Sequence, residues 1–184
     1  MRMPVLLVAL TLLSVGPSAR AVTLDFDVNN LSEYAPMGVT FSPNASVWFS
    51  SGTSVLDNPS GGPYSVPNGL QFGTAGGVVG FIYFDQAQAF VSIWALSGPG
   101  PDLLNDPIYI KAYNAADELV DEDFADNTVQ FDLLSVSGAG IVKIETFSPL
   151  PNNDVWDDLT FEPIPEPTAA MVFVGLLSLV RSRR

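Results

Sequence analysis

Four aspartates could do chemistry together: Asp25 and Asp27 near the start of the chain, Asp157 and Asp158 near its end. Cysteine and histidine are absent, so carboxylates, carbonyls and hydroxyls are the ligands on offer, and these suit a hard cation such as calcium. A strand over 156–161 puts Asp157 on the face of Leu159 and Phe161 by period two. A carboxylate on that face needs a metal, a cation or several N–H donors. If the first and last strands lie side by side, Asp25 or Asp27 approaches Asp157 or Asp158, and a structural calcium would pin the chain ends. The other reading leaves Asp157 at a strand edge, bonded to loop N–H groups.

A second chemistry is stacking on sugar rings. Trp48, Trp94 and Trp156, with Tyr34, Tyr64, Tyr83, Tyr109 and Tyr113, offer flat faces. Tyr64 lies in a Pro/Gly-rich loop with Asn58 and Asn68 as polar neighbours, and loops on a rigid scaffold are where recognition residues collect. Trp94 falls in an apolar strand and reads as core. For any one of these rings, packing is the default role. The acids Asp117, Glu118, Asp121, Glu122, Asp123 and Asp126 lack the spacing and glycine of an EF-hand. They read as a solvated hairpin edge that resists edge-to-edge pairing.

The same inventory excludes much. No thiol nucleophile, Ser-His-Asp triad, zinc finger or haem histidine can be built. A glycosidase needs two carboxylates about 5–10 Å apart, but no motif singles out a pair. The expectation is therefore a protein with no catalytic residues. The 184 residues carry 20 acids and 7 bases, a net charge of -13. Five of the bases lie at the two ends. Only Lys111 and Lys143 accompany the 19 acids of residues 22–162, which gives that stretch a net charge of -17. Such a surface is a poor partner for nucleic acid, whose affinity comes from Lys and Arg on phosphates.

The elements that must position these residues are strands. Leu24, Phe26 and Val28 alternate with Thr23, Asp25 and Asp27. Further short runs fall at 38–42, 46–50, 69–73, 78–84, 90–96, 108–114, 119–124, 129–133, 141–147 and 156–161, between turn clusters. The runs 78–84 and 90–96 are apolar at both parities and read as central strands covered on both sides. Residues 114–118 read as a hairpin connection. The expectation is an all-β domain over 22–162, a two-sheet β-sandwich of jelly-roll or galactose-binding-like type.

The ends read as addresses. Residues 1–21 have a basic start, an apolar stretch, the breaker Gly16-Pro17 and Ala19-Arg20-Ala21, the pattern of a signal peptide cut by signal peptidase. At the other end come Pro165-Glu166-Pro167, an apolar run of 13 residues, and Arg181, Arg183 and Arg184. That run would span roughly 20 Å as a helix against about 30 Å of hydrocarbon, with the arginines on the cytoplasmic side.

Residues 163–184 resemble the PEP-CTERM sorting signal of exported proteins in Gram-negative, biofilm-forming bacteria. The resemblance implies an inner-membrane-held precursor, cutting by an exosortase near Pro165-Glu166-Pro167, and a final place on the cell surface or in the extracellular matrix. Asp25-Phe26-Asp27, Gly38-Val39-Thr40-Phe41, Ala112-Tyr113-Asn114-Ala115-Ala116-Asp117 and Trp156-Asp157-Asp158-Leu159-Thr160-Phe161 resemble the β-sandwich domains such signals accompany. The expected role is structural or adhesive, in exopolysaccharide or biofilm. The alternatives are a carbohydrate-binding module with a defined glycan, and a small carboxylate-dependent glycosidase or lyase.

Overall fold

The computed structural model describes residues 20–28, 30–49, 68–73, 78–97, 107–125, 131–149 and 154–164. They form nine strands: β1 (Val22–Leu24), β2 (Val39–Phe41), β3 (Ala45–Phe49), β4 (Asn68–Phe72), β5 (Val78–Ser97), β6 (Ile108–Tyr113), β7 (Leu119–Ala125), β8 (Asp132–Ser148) and β9 (Asp154–Pro163). The fold is an all-β sandwich, as the turn spacing predicts. All described residues lie within one unit, Arg20–Ile164.

Two pairs of expected strands are each one long strand. Runs 78–84 and 90–96 join into β5, and runs 129–133 and 141–147 fall mostly within β8. β5 and β8 pair antiparallel along two stretches, Val78–Tyr83 with Lys143–Ser148 and Phe90–Ala95 with Asp132–Ser137. Register shifts separate these stretches, and the buried parity changes across them. Ile82 and Phe84 point into the core before the shift; Val91, Ile93 and Ala95 do so after it. In β8 the irregularity falls at Gly138 and Gly140, the latter at φ +87°, a value that glycine adopts without a Cβ penalty.

Hydrogen bonds therefore join the strands in one continuous antiparallel sheet, in the order β3-β4-β9-β5-β8-β6-β7, with β1 on β9 and β2 on β5. One layer holds β2, the first half of β5, the second half of β8, β6 and β7. The other holds β3, β4, β1, β9, the second half of β5 and the first half of β8. β7 ends the first layer with its inward-facing acids. Asp123 Oδ2 accepts the N–H of Ser135, and Asp121 Oδ2 that of Ser137, each at 2.8 Å. Carboxylates thus cover main-chain donors of β8. Asp121 and Asp123 of the acidic stretch thus close the sandwich, and Asp117, Glu118 and Glu122 are exposed, while Asp126 lies outside the described residues.

A 3-10 helix, Leu31–Met37, was not expected from the sequence. Asn30 Oδ1 accepts the N–H of Ser32, and Gly38 at φ +77° ends the helix. It brings Tyr34 against Phe26 and Phe41 in edge-on ring contacts.

Gly80 is needed for packing. A Cβ there would lie 2.2 Å from the ring of Phe72, which is buried and meets Trp156 edge-on at 6.4 Å. Gly80→Ala is expected to cost about 1–3 kcal/mol, the usual range for overpacking. A lower urea midpoint at unchanged slope would report it; an unchanged midpoint would show that the Phe72 ring yields freely.

Candidate ligand-binding face

The first and last strands do lie side by side, with Val22 opposite Phe161 and Leu24 opposite Leu159. Asp25 follows directly on β1. Asp25 Oδ1 accepts the N–H of Asp27 at 3.2 Å and, weakly, the Tyr34 hydroxyl at 3.5 Å. Asp27 Oδ1 accepts the N–H of Asn68 at 3.3 Å, and Asn68 Nδ2 donates to the Val28 carbonyl at 3.5 Å. Asp27 and Asn68, assigned to different sites by sequence, thus meet, and Asn68 is buried rather than presented on a loop. Burial raises the Asp27 carboxyl above its ordinary range, and Asp25 adds to this; the Asn68 N–H opposes it.

The phase assigned to Asp157 needs correcting. β9 is bulged: Ser92 pairs with Thr160, but Trp94 pairs with Asp157, so one extra residue lies between. Asp158 takes it up at φ +47°. Trp156 and Leu159, of opposite parity, therefore both join the core. Asp157 is fully buried, and its Oδ1 accepts the N–H of Asp158 at 2.8 Å. Among the described residues no group of three or more acids gathers as a metal site would. Asn58, Tyr64, Pro165, Glu166, Pro167, Arg181, Arg183 and Arg184 lie outside the described residues.

Another constellation emerges on the outer side of β5, β8, β6 and β7. The first half of β5 is covered on one side only, contrary to expectation. Val79, Phe81 and Tyr83 face outward, and Val79 and Tyr83 are exposed. The register aligns three rows across the four strands. The first is apolar: Val79, Phe147, Tyr109 and Phe124. The second is Phe81, Glu145, Lys111 and Glu122. The third is Tyr83, Lys143, Tyr113 and Leu119.

The rows are knitted together. Tyr109 and Phe147 stack at 4.9 Å between centroids and 16° between planes. Glu145 sits between two tyrosines, accepting from Tyr109 at 3.3 Å and from Tyr113 at 3.0 Å. Burial, followed by Glu145, pushes both phenols up, Tyr113 to about 12. They stay protonated donors at neutral pH. Lys111 lies 4.7 Å above the Tyr109 ring and 3.8 Å from Glu122. Lys143 lies 4.3 Å from the Tyr113 ring centre and pairs with Asp117. Both lysines of residues 22–162 are thus on this face. Phe124, at the end of the apolar row, is 66% exposed.

The tyrosines are evident in the sequence, but their assembly is not. The signal is there: Tyr109, Lys111 and Tyr113 alternate with Ile108, Ile110 and Ala112, and Phe81/Tyr83 and Lys143/Glu145/Phe147 share the spacing. Only strand order and register place them side by side.

No family model matches the chain, and no curated protein is significantly similar to it. Solved structures share its architecture. One is an arabinose-bound α-L-arabinofuranosidase, MgGH51 (TM-score 0.50, 12% identity), over 81% of this chain and 27% of that one. The chain thus matches only about a quarter of that enzyme's length. Another is the K2 cleaved adhesin domain of Lys-gingipain (TM-score 0.47, 12% identity), over 77% of this chain and 99% of that one. A third is TmCBM61 in complex with β-1,4-galactotriose (TM-score 0.41, 11% identity), over 76% and 90%. At 12% identity the likeness to the arabinofuranosidase is one of fold.

Proposed function

We propose that the protein is an exported, non-catalytic β-sandwich that binds carbohydrate at the cell surface or in the extracellular matrix, delivered there through its PEP-CTERM-like tail. The observation that carries the binding reading is the outer face of β5, β8, β6 and β7. Aromatic rings lie beside fixed hydrogen-bonding groups on a rigid sheet, the combination that sugar recognition needs: apolar surface for ring C–H groups and placed polar atoms for hydroxyls.

Hydrolysis finds less support. A pocket of about 360 Å³ between the 3-10 helix, β5 and β9 is lined by one carboxylate, Asp85, where a glycosidase needs two. Two carboxyls raised in pKa lie elsewhere. Asp27 is tied to Asn68, and Asp154 is inside the sandwich.

Binding is tested by titrating the protein with glycans and repeating the titration on face variants. Delivery is tested by the mass of the protein taken from the envelope of its host. The proposal expects loss of the C-terminal segment that follows Pro165-Glu166-Pro167, arginines included; an intact C-terminus contradicts it.

A further inference from the structure

We infer that this face takes a linear, uncharged glycan lying across the strands along the row Val79, Phe147, Tyr109 and Phe124, an inference that rests on the carbohydrate-binding reading above. These four side chains come from four neighbouring strands in the order β5-β8-β6-β7. The row therefore covers three inter-strand spacings, about 14 Å, or the length of about three pyranose rings. Its one polar atom, the Tyr109 hydroxyl, is turned to Glu145, and Phe124 gives the row one largely exposed ring.

The neighbouring row supplies the polar contacts. Glu145, Lys111 and Glu122 lie one register step away, on the strands that carry Phe147, Tyr109 and Phe124. A chain stacked on the apolar row would turn one edge of hydroxyls toward these groups. Carboxylate oxygens accept from hydroxyls and the ammonium donates to them. Branches on that edge would collide with the charged row, so an unbranched chain fits.

Charge selects against acidic glycans. Lys111 and Lys143 are the cations of the face, and each is engaged by a carboxylate and an aromatic ring. Glu122, Glu145 and Asp117 outnumber them, within a stretch of net charge -17. A chain of uronates or sulfates would bring like charge into that field with no unpaired lysine to receive it.

The test is calorimetric titration of the protein with linear β-linked hexasaccharides of glucose, xylose, mannose and galactose, and with oligogalacturonate and oligoalginate. Each is run at low and high salt and with chelator, on wild type and Phe124→Ala. At least one neutral oligosaccharide is expected to bind, with affinity unchanged by salt or chelator and at least tenfold weaker in the variant. Tighter binding of the uronates, falling with salt or with chelator and lost in Phe124→Ala, would overturn the uncharged ligand but leave the face a glycan site. No binding by any sugar, or binding that survives both Phe124→Ala and Tyr109→Ala, would overturn the carbohydrate reading itself. So would self-association abolished by Phe124→Ala, which would make the face an interface between copies.

Discussion

Phe124→Ala is expected to weaken glycan binding at least tenfold while leaving the fold intact. Phe124 ends the apolar row, opposite Tyr109 on β6. At 66% exposure it contributes little to the core, so its removal should shift the unfolding midpoint only slightly. Its loss from a contact surface differs in kind. Large aromatic anchors dominate binding energies, and about 1.4 kcal/mol already corresponds to a factor of ten. Leu133→Ala is the matched control. Leu133 is also exposed, at 49%, but it lies on the first half of β8 in the other layer. Equal affinity losses in the two variants would indicate unspecific apolar adsorption rather than a site.

Asp154→Asn is expected to change how stability depends on pH. Asp154 is 1% exposed. Its Oδ2 accepts the Trp156 indole N–H at 2.7 Å, and among the described residues Oδ1 has no hydrogen-bond partner. Desolvation is the largest influence and pushes the carboxyl up to about 6 from 3.8. The Trp156 N–H and the nearby backbone N–H groups of Asp154 and Phe72 only partly oppose it.

Because the folded value lies above the unfolded one, the folded state holds the proton more tightly. Below about pH 3 both states are protonated and the group contributes nothing to the pH dependence. Between about pH 4 and 6 stability falls as pH rises, and above 6 the full penalty applies. A rise of about two pKa units corresponds to about 3 kcal/mol. Asparagine keeps an acceptor for Trp156 and cannot ionise. The stability difference, variant minus wild type, should therefore grow by about 3 kcal/mol between pH 3 and pH 8. Urea unfolding of both proteins across that range measures it. Parallel profiles would mean that Asp154 ionises in the fold as freely as in the unfolded chain.

How far the sequence disclosed the molecule depends on whether local chemistry or distant pairing decides each feature. Leu24 and Phe26 are buried as their alternation implies, although β1 ends at Leu24 and Phe26 lies at φ +58°. The 114–118 connection is legible because asparagine organises such turns. Asn114 Oδ1 accepts the N–H groups of Ala116 and Glu118 at 2.9 and 3.0 Å. The extra residue in β9 is not legible. Asp158 supplies it, and nothing in Trp156-Asp157-Asp158-Leu159 says that two residues will face one on β5. That single insertion inverts the face expected for Asp157.

The proposed binding face is half legible. Each strand shows its alternation, but a single aromatic on a strand is as well explained by packing. Position 81 meets 145, and 145 meets 111, only through pairings between strands far apart in sequence. β8 also had to be seen as one strand through Gly138, where a Cβ would come within 2.3 Å of Val120. Such contacts set register, and no local pattern reports them.

A crystal structure of the protein with the tightest-binding neutral oligosaccharide would show the site directly. The ligand is predicted to lie across β5, β8, β6 and β7, with a sugar ring against Phe124 and hydroxyls within hydrogen-bond distance of Glu145 or Lys111. A sugar seated instead among loops at the end of the sandwich, with the Phe124 face bare, would overturn this assignment of the site.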